Sequence, residues 1–414
     1  MGAFSIFSGK KKKADTDSGT RYRRLSTAAM LGKFSVLLLG LLLVLWGFSF
    51  HTDEINMDNF KYLINSLNGD NVQTTKYSTL YYDKNEENRF AFVRGDLAVV
   101  NSNGSTVYSL SGERKSADSI LKMDDPQVLW SAKYMYIYDL GGTEFVVKNS
   151  TETVKTINYN YPIRAAAAND SGFFAVASNE KTTRSSVFVY DDKYREVYKR
   201  SFGSQYTVAV DINEGAGRLL TASVYATDGN FVTELGLYPL KDESTLACLS
   251  FEGEYPYRVC FNNDDGFMLF TDKGCRFFDA EGKLISFTEF GLTGIDDFGI
   301  NEHGFIRMYS SATMSAEETI ELYDGKSGKL LYGDSYEKGV RLARCHGDYL
   351  YVVSDGLLYA VRLSDGEIRS TPVGLDVLEL LTVEKDTLLV LTEGVGEVYE
   401  ISGLFTEDKE ESAE

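Results

Sequence analysis

Between residues 89 and 403 one pattern recurs: short apolar runs in groups of four, separated by turns built from Gly, Asp, Asn and Lys. Residues 256–290 carry it as PYRVCFNNDDG, FMLFTDKG, CRFFDAEG and KLISFTEF. Residues 340–374 repeat it as VRLARCHGD, YLYVVSDG, LLYAVRLSDG and EIRSTPVG. Each run is too short for a helix and alternates or clusters apolar residues as a strand does. Gly reaches positive φ in such turns, and Asp bonds its own backbone there. Sequences such as DAEGK (279–283) and DGKSGK (324–329) are therefore hairpin turns, without the full spacing of a calcium loop.

The copies can be aligned on the first turn of each group, at Gly95, Lys133, Gly172, Gly217, Gly266, Gly304, Gly347 and Asp386. The spacings are 38, 39, 45, 49, 38, 43 and 39 residues. A period near 40 with four strands per copy is the sequence signature of a propeller blade. We expect an all-β fold, an eight-bladed β-propeller over residues 74–405, with seven blades as the rival count. The longer copies carry extra residues between their second and third strands, at ATDGNF (226–231) and TMSAEE (313–318), which should protrude as loops. The last copy has three runs, the third being VGEVYEISG (395–403), whereas TKYSTLYYD (75–83) precedes the first copy without belonging to it. The N-terminal run should supply the missing fourth strand of the last blade, because closure removes exposed edges.

Charge divides the chain. Residues 1–33 hold eight Lys or Arg and two acids, a net of +6, and residues 34–50 hold no charge. The whole chain stands at −19, so the remainder carries −19 − 6 = −25. Such acidity disfavours nucleic acid as a partner. The run FSVLLLGLLLVLWGFSF (34–50) is long enough for a short membrane crossing of about 25 Å. Lys33 can snorkel on one side, and Trp46, Phe48 and Phe50 suit the interface on the other. The preceding basic region is far longer than the n-region of a signal peptide. The expected organisation is a basic cytoplasmic tail (1–33), a transmembrane helix (34–50), a linker (51–73), the extracytoplasmic propeller (74–405) and an acidic tail (406–414). Within the linker, Phe60, Leu63, Ile64 and Leu67 trace one face of a short amphipathic helix over 58–69.

The repeats resemble those of WD40-like and quinoprotein-like propellers. The order of basic tail, apolar span, short helix and blades with YD-x-x-G-K-type turns is similar to an uncharacterised family of single-pass, membrane-anchored propellers of Gram-positive bacteria. That resemblance implies display in the cell envelope and supplies no catalytic residues. Quinoprotein enzymes use Trp-bearing docking repeats, and here only Trp130 lies outside the apolar span. No cofactor is expected.

The four cysteines, Cys248, Cys260, Cys275 and Cys345, show no metal spacing and read as small buried apolar residues. His303 and His346 occupy matching turns of adjacent copies, where turn chemistry explains them better than a shared metal site. GxGxxG, Walker A and GxSxG motifs are missing. One pattern stands out. Arginine opens the first strand of alternate copies, as Arg89, Arg164, Arg258 and Arg341, where the other four copies have Val128, Thr207, Asp297 and Leu378. Tyr161 and Tyr255 lie just before two of them. Four such arginines could ring one mouth of the central channel and grip carboxylate, phosphate or glycan. Alternatively, they pair with acids between blades. The expected role is a non-enzymatic binding scaffold for a protein or cell-envelope partner. Glycan binding or processing at the channel mouth is the alternative.

Overall fold

The computed structural model describes residues 32, 33, 35, 36, 38 and 39, and residues 78–405 apart from 86, 119–122, 292–295, 302, 311–316, 338 and 385. The chain divides into a unit Met1–Gln73 and a unit Thr74–Glu414. In the first unit the six described residues are helical. Among the described residues no helix is long and apolar enough to cross a membrane. Most of the expected span over 34–50, the amphipathic helix over 58–69 and the acidic tail over 406–414 lie outside the described residues.

The second unit is built of eight four-stranded antiparallel sheets. Each sheet but the last takes four consecutive strands, here called A to D in chain order. Strands A of neighbouring blades pack together, as Ile163–Ala168 does against Tyr206–Ile212, and Tyr206–Ile212 against Pro256–Phe261. The A strands therefore line the hub. Arg89–Val93 of blade one also meets Val377–Glu384 of blade eight, so the ring is closed.

Eight blades are present, and the count of seven is excluded. Blade eight consists of Val377–Glu384, Thr387–Thr392, Val395–Glu400 and, as its outer strand, Leu80–Tyr81 from the front of the domain. Leu80 pairs with Gly396 and Tyr81 with Val395. The latch is also side-chain based: the Tyr82 hydroxyl donates to the carbonyls of Thr392 (2.8 Å) and Val395 (3.0 Å).

Eight apolar clusters hold the ring, and each bridges two adjacent blades. This is why a blade cannot stand alone: each sheet has two apolar faces, and only its neighbours cover them. Aromatic rings carry much of the packing. Phe145 of blade two stacks on Phe174 of blade three at 5.1 Å, and Phe270 of blade five meets Phe305 of blade six edge-on at 5.0 Å. Between blades one and two a polar staple joins in: buried Lys148 donates to Ser105 Oγ at 2.6 Å and faces Asp118 at 3.6 Å.

Three expectations are corrected. The insertion at 226–231 is no loose loop: Arg218–Thr227 and Asn230–Pro239 pair along their whole length. Asp228 (φ 50°) and Gly229 (φ 85°) make the two-residue turn whose positive φ values suit a hairpin's twist. The last C strand ends at Glu400, and Ile401–Leu404 forms one helical turn that buries Ile401 against blades seven and eight. Cys260, Cys275 and Cys345 are buried, but Cys248 is exposed, because it sits on the outward side of an outer strand whose exposure alternates. The insertion at 313–318 lies mainly outside the described residues.

Candidate functional site

All four expected arginines, Arg89, Arg164, Arg258 and Arg341, are exposed near the start of their A strands, on the face that carries the D–A and B–C connections. They are not equivalent, however. In blades three, four, five, seven and eight the A strand carries one extra residue against its B strand, between Ile163 and Ala165, Thr207 and Ala209, Pro256 and Arg258, Val340 and Leu342, and Val377 and Glu379. Arg164 and Arg341 are the extra residues. Arg258 lies one position further on, opposite Phe270, and Arg89 sits opposite Val100 in a blade whose A and B strands pair without a bulge. A bulge turns its residue away from the regular alternation. Two of the arginines thus share one geometry and the other two share another, and of the four comparison positions only Leu378 stands on a bulge.

None of the four makes an ion pair with a carboxylate among the described residues. Arg164 is held instead by uncharged partners. Its Nε donates to Asn179 Oδ1 at 2.9 Å, and its guanidinium lies 5.2 Å from the centre of the Tyr206 ring. Arg184 lies 5.3 Å from the same ring and donates to the Tyr206 hydroxyl at 2.9 Å. One tyrosine of blade four therefore gathers two exposed guanidinium groups from blade three. The ring's face favours both cations without neutralising either. Arg184 and Tyr206 were missed by counting along A strands: Arg184 ends the B–C connection NEKTTR (179–184), which lies on the same face.

Arg258 acts electrostatically on groups of other blades. Its charge lowers the pKa of Tyr138 in blade two, three blades round the ring, against the larger effect of burial, which leaves that phenol up at about 12. It acts likewise on Asp211 of blade four. Burial pushes the Asp211 carboxyl up to about 6, opposed by the backbone N–H of Phe261 and by Arg258. Asp211 Oδ2 accepts from Phe261 at 2.7 Å, and Oδ1 from Ile212 at 2.9 Å. Tyr161 and Tyr255 are placed beside this face, Tyr161 half-buried with its carbonyl accepting from Ser178 Oγ at 2.9 Å, and Tyr255 exposed.

A fifth hub arginine behaves oppositely. Arg344, in strand A of blade seven, grips Glu379 of blade eight with Nε (2.8 Å) and Nη2 (2.9 Å) and faces Asp297 of blade six at 3.4 Å. Burial works against its charge, but Glu379 and Asp297 more than offset this, and the guanidinium is held above its usual pKa. Its role is to clamp three blades together.

On the opposite face, where the A–B and C–D turns lie, a second device ties blades together. Asn169, Asn213, Asn262 and Asn301 each end strand A or follow it, in four consecutive blades. Each uses Oδ1 to accept N–H groups of its own turn, such as Phe173 N at 2.9 Å for Asn169 and Gly217 N at 2.9 Å for Asn213. The Nδ2 of the first three crosses to the next blade: Asn169 to the Asn213 carbonyl (2.9 Å), Asn213 to Asp265 Oδ1 (2.8 Å) and Asn262 to the Gly325 carbonyl (3.1 Å). Between blades six and seven His303 takes over, donating from Nε2 to the Gly347 carbonyl at 2.5 Å. His303 is thus a blade-to-blade tie, and among the described residues no cluster of three or more His, Cys, Asp or Glu is placed to hold a metal.

Known proteins bear on this geometry in two ways. A family model described as "Family of unknown function (DUF5711)" matches residues 70–400. The chain belongs to this family. The matched span runs from ten residues before the latch strand to the end of the last C strand. Solved structures share the fold. Sqt1 of Saccharomyces cerevisiae superposes with a TM-score of 0.57 at 12% identity, covering 79% of this chain and 99% of its own. BamB of Moraxella catarrhalis gives 0.51 at 13%, covering 79% and 97%. The C-terminal WD40 domain of Sif2 gives 0.51 at 14%, covering 77% and 94%. At such identities the likeness concerns the fold alone. No curated protein matches the chain in sequence.

Proposed function

We propose that this member of the family is a membrane-anchored, extracytoplasmic scaffold that binds a partner bearing carboxylate or phosphate groups on the D–A face of its propeller. The anchoring rests on the charge-free run 34–50 behind a tail of net +6, which would hold the N-terminus in the cytoplasm. A rigid ring that presents connections on one face is suited to recognition without chemistry. The observation that carries the binding face is the pair Arg164 and Arg184 on Tyr206: two exposed guanidinium groups, without an ion pair among the described residues, on a domain of strongly negative balance. Arg89, Arg258 and Arg341 extend the same face. Guanidinium forks match carboxylate and phosphate geometry.

The test uses the full chain in lipid nanodiscs. Binding of poly-L-glutamate and of polyglycerol phosphate is measured for the native protein and for the Arg164→Ala, Arg184→Ala double variant. The account expects at least a tenfold loss of affinity with an unchanged melting temperature, and binding that weakens with salt. A lowered melting temperature with undiminished binding would make these arginines structural and end the proposal. A periplasm-active or surface-active reporter fused at the C-terminus tests the orientation separately.

A further inference from the structure

The B–C hairpin of blade four outgrows its sheet. Strand A of that blade begins at Tyr206, opposite Val224 of strand B. Strand B runs on through Tyr225, Ala226 and Thr227, paired only with strand C. These residues carry the hairpin roughly 10 Å past the start of strand A, on the face that holds Arg164 and Arg184. The turn fixes where the backbone groups point. Asp228 and Gly229, both at positive φ, make a two-residue turn, so Thr227 and Asn230 exchange hydrogen bonds. Bonded and non-bonded pairs alternate from there. Ala226 and Phe231 are therefore a non-bonded pair, whose N–H and C=O groups point out of the two edges. On the strand C side the Phe231 carbonyl accepts from the Gly253 N–H at 2.8 Å, as this alternation requires. On the strand B side Ala226 is exposed, and no described residue pairs with it or hydrogen-bonds to its backbone there.

An open strand edge is complementary to an extended peptide backbone. A chain laid along Ala226 would prolong the line of strand A, two residues or about 7 Å beyond Tyr206. Tyr206 is the residue on which Arg164 and Arg184 converge, at 5.2 Å and 5.3 Å from its ring centre. Carboxylate side chains on such a chain would come within reach of both guanidinium groups, and charge complementarity selects an acidic segment. The hairpin's own acid, Asp228, sits in the turn, past the last pair. Phosphate polymers and glycans could satisfy the arginines, but a phosphodiester or glycosidic backbone has no alternating N–H and C=O groups to offer the edge.

From this we infer that the D–A face takes an extended acidic peptide segment of a partner protein, added as a strand at Ala226 with its carboxylates on Arg164 and Arg184. The inference rests on the anionic partner proposed above and names its class. Octa-L-glutamate is titrated onto the full chain in nanodiscs, beside its peptoid isomer built from N-(2-carboxyethyl)glycine, which has the same charge and no backbone N–H. Ala226→Pro removes the outward N–H without removing a hydrogen bond of the hairpin. The expected result is octaglutamate binding that weakens about tenfold in Ala226→Pro, a peptoid bound about tenfold more weakly than octaglutamate by the native protein, and polyglycerol phosphate bound equally by both proteins. The peptoid comparison needs no variant, so it decides the matter even if Ala226→Pro fails to fold. Octaglutamate and peptoid binding equally well, or octaglutamate binding undiminished in folded Ala226→Pro, overturns the strand addition and leaves the arginine site standing. Octaglutamate binding that is absent from the native protein, or undiminished in the Arg164→Ala, Arg184→Ala double variant, overturns the reading of the arginines and this inference with it. Binding of polyglycerol phosphate alone assigns the face to a phosphate polymer and overturns the peptide.

Discussion

Leu80 lies opposite Gly396 in the last blade, 316 positions away in the chain, and its side chain is fully buried in the cluster that joins blades eight and one. This one pairing turns an open row of blades into a ring.

The latch should therefore be energetically unequal along its length. Leu80→Ala removes a fully buried side chain and should cost about 2–4 kcal/mol in urea unfolding. Tyr81 is 73% exposed, so Tyr81→Ala should change stability by less than about 0.5 kcal/mol. Tyr82→Phe strips two carbonyls of their hydroxyl donor and should cost about 1 kcal/mol. Equal effects at Leu80 and Tyr81 would mean that the strand is not seated as described.

Arg344→Ala would leave Glu379 and Asp297 without their shared cation. The pair is partly solvated, so the expected loss is about 2–3 kcal/mol rather than the full cost of a buried orphan charge. Arg344→Lys should recover part of it but not the two-pronged grip on Glu379. Thermal unfolding of the three proteins checks the order: native, then lysine, then alanine.

Asp211 makes a pH prediction with a definite sign. Its carboxyl is raised by burial to about 6 from an ordinary 3.8, so between these values the folded state binds more protons than the unfolded one. Its contribution to stability is present below pH 3.8 and is lost as pH rises through 6. The stability of the native protein minus that of Asp211→Asn should fall between pH 4 and pH 7, by an amount on the order of 3 kcal/mol. A difference that stays flat or rises across this range would contradict the burial of Asp211 beside Phe261.

Cysteine chemistry checks the blade faces. Cys248 is the exposed thiol, and burial holds Cys260 and Cys275 well away from the thiolate form. Iodoacetamide at neutral pH should label Cys248 alone in the folded protein and all four cysteines in guanidinium. Labelling of Cys275 before unfolding would place strand C of blade five on the surface.

The blades were readable because each physical demand leaves a mark in the residues. Strands leave apolar runs, turns leave Gly and Asp, and a missing fourth run implies a donor elsewhere, found at Leu80–Tyr81 within the expected run 75–83. The bulges left no such mark. In IRAAAA (163–168) one extra residue disturbs no alternation, so Arg164 and Arg258 looked equivalent while the register separates them. Arg344 was overlooked three positions after Arg341, because nothing in RLARC (341–345) says which arginine meets Glu379 from the next blade. The asparagine ties were legible and passed over: AND, DIN, NND and INE recur at the ends of four successive A strands. Cys248 was misjudged because outer strands keep strand-like alternation while facing solvent on one side.

The most direct test of the closed ring is a disulfide across the latch. Tyr82 donates its N–H to the Gly394 carbonyl at 3.1 Å, so the neighbouring pair, Tyr81 and Val395, is of the closer, non-hydrogen-bonded kind that a disulfide can bridge. In a Cys248→Ser background, Tyr81→Cys with Val395→Cys should oxidise to a single intramolecular bond, read by mass spectrometry after proteolysis, and should raise the melting temperature. Failure to form that bond, or linkage only between separate molecules, would contradict a ring closed from its own N-terminal strand.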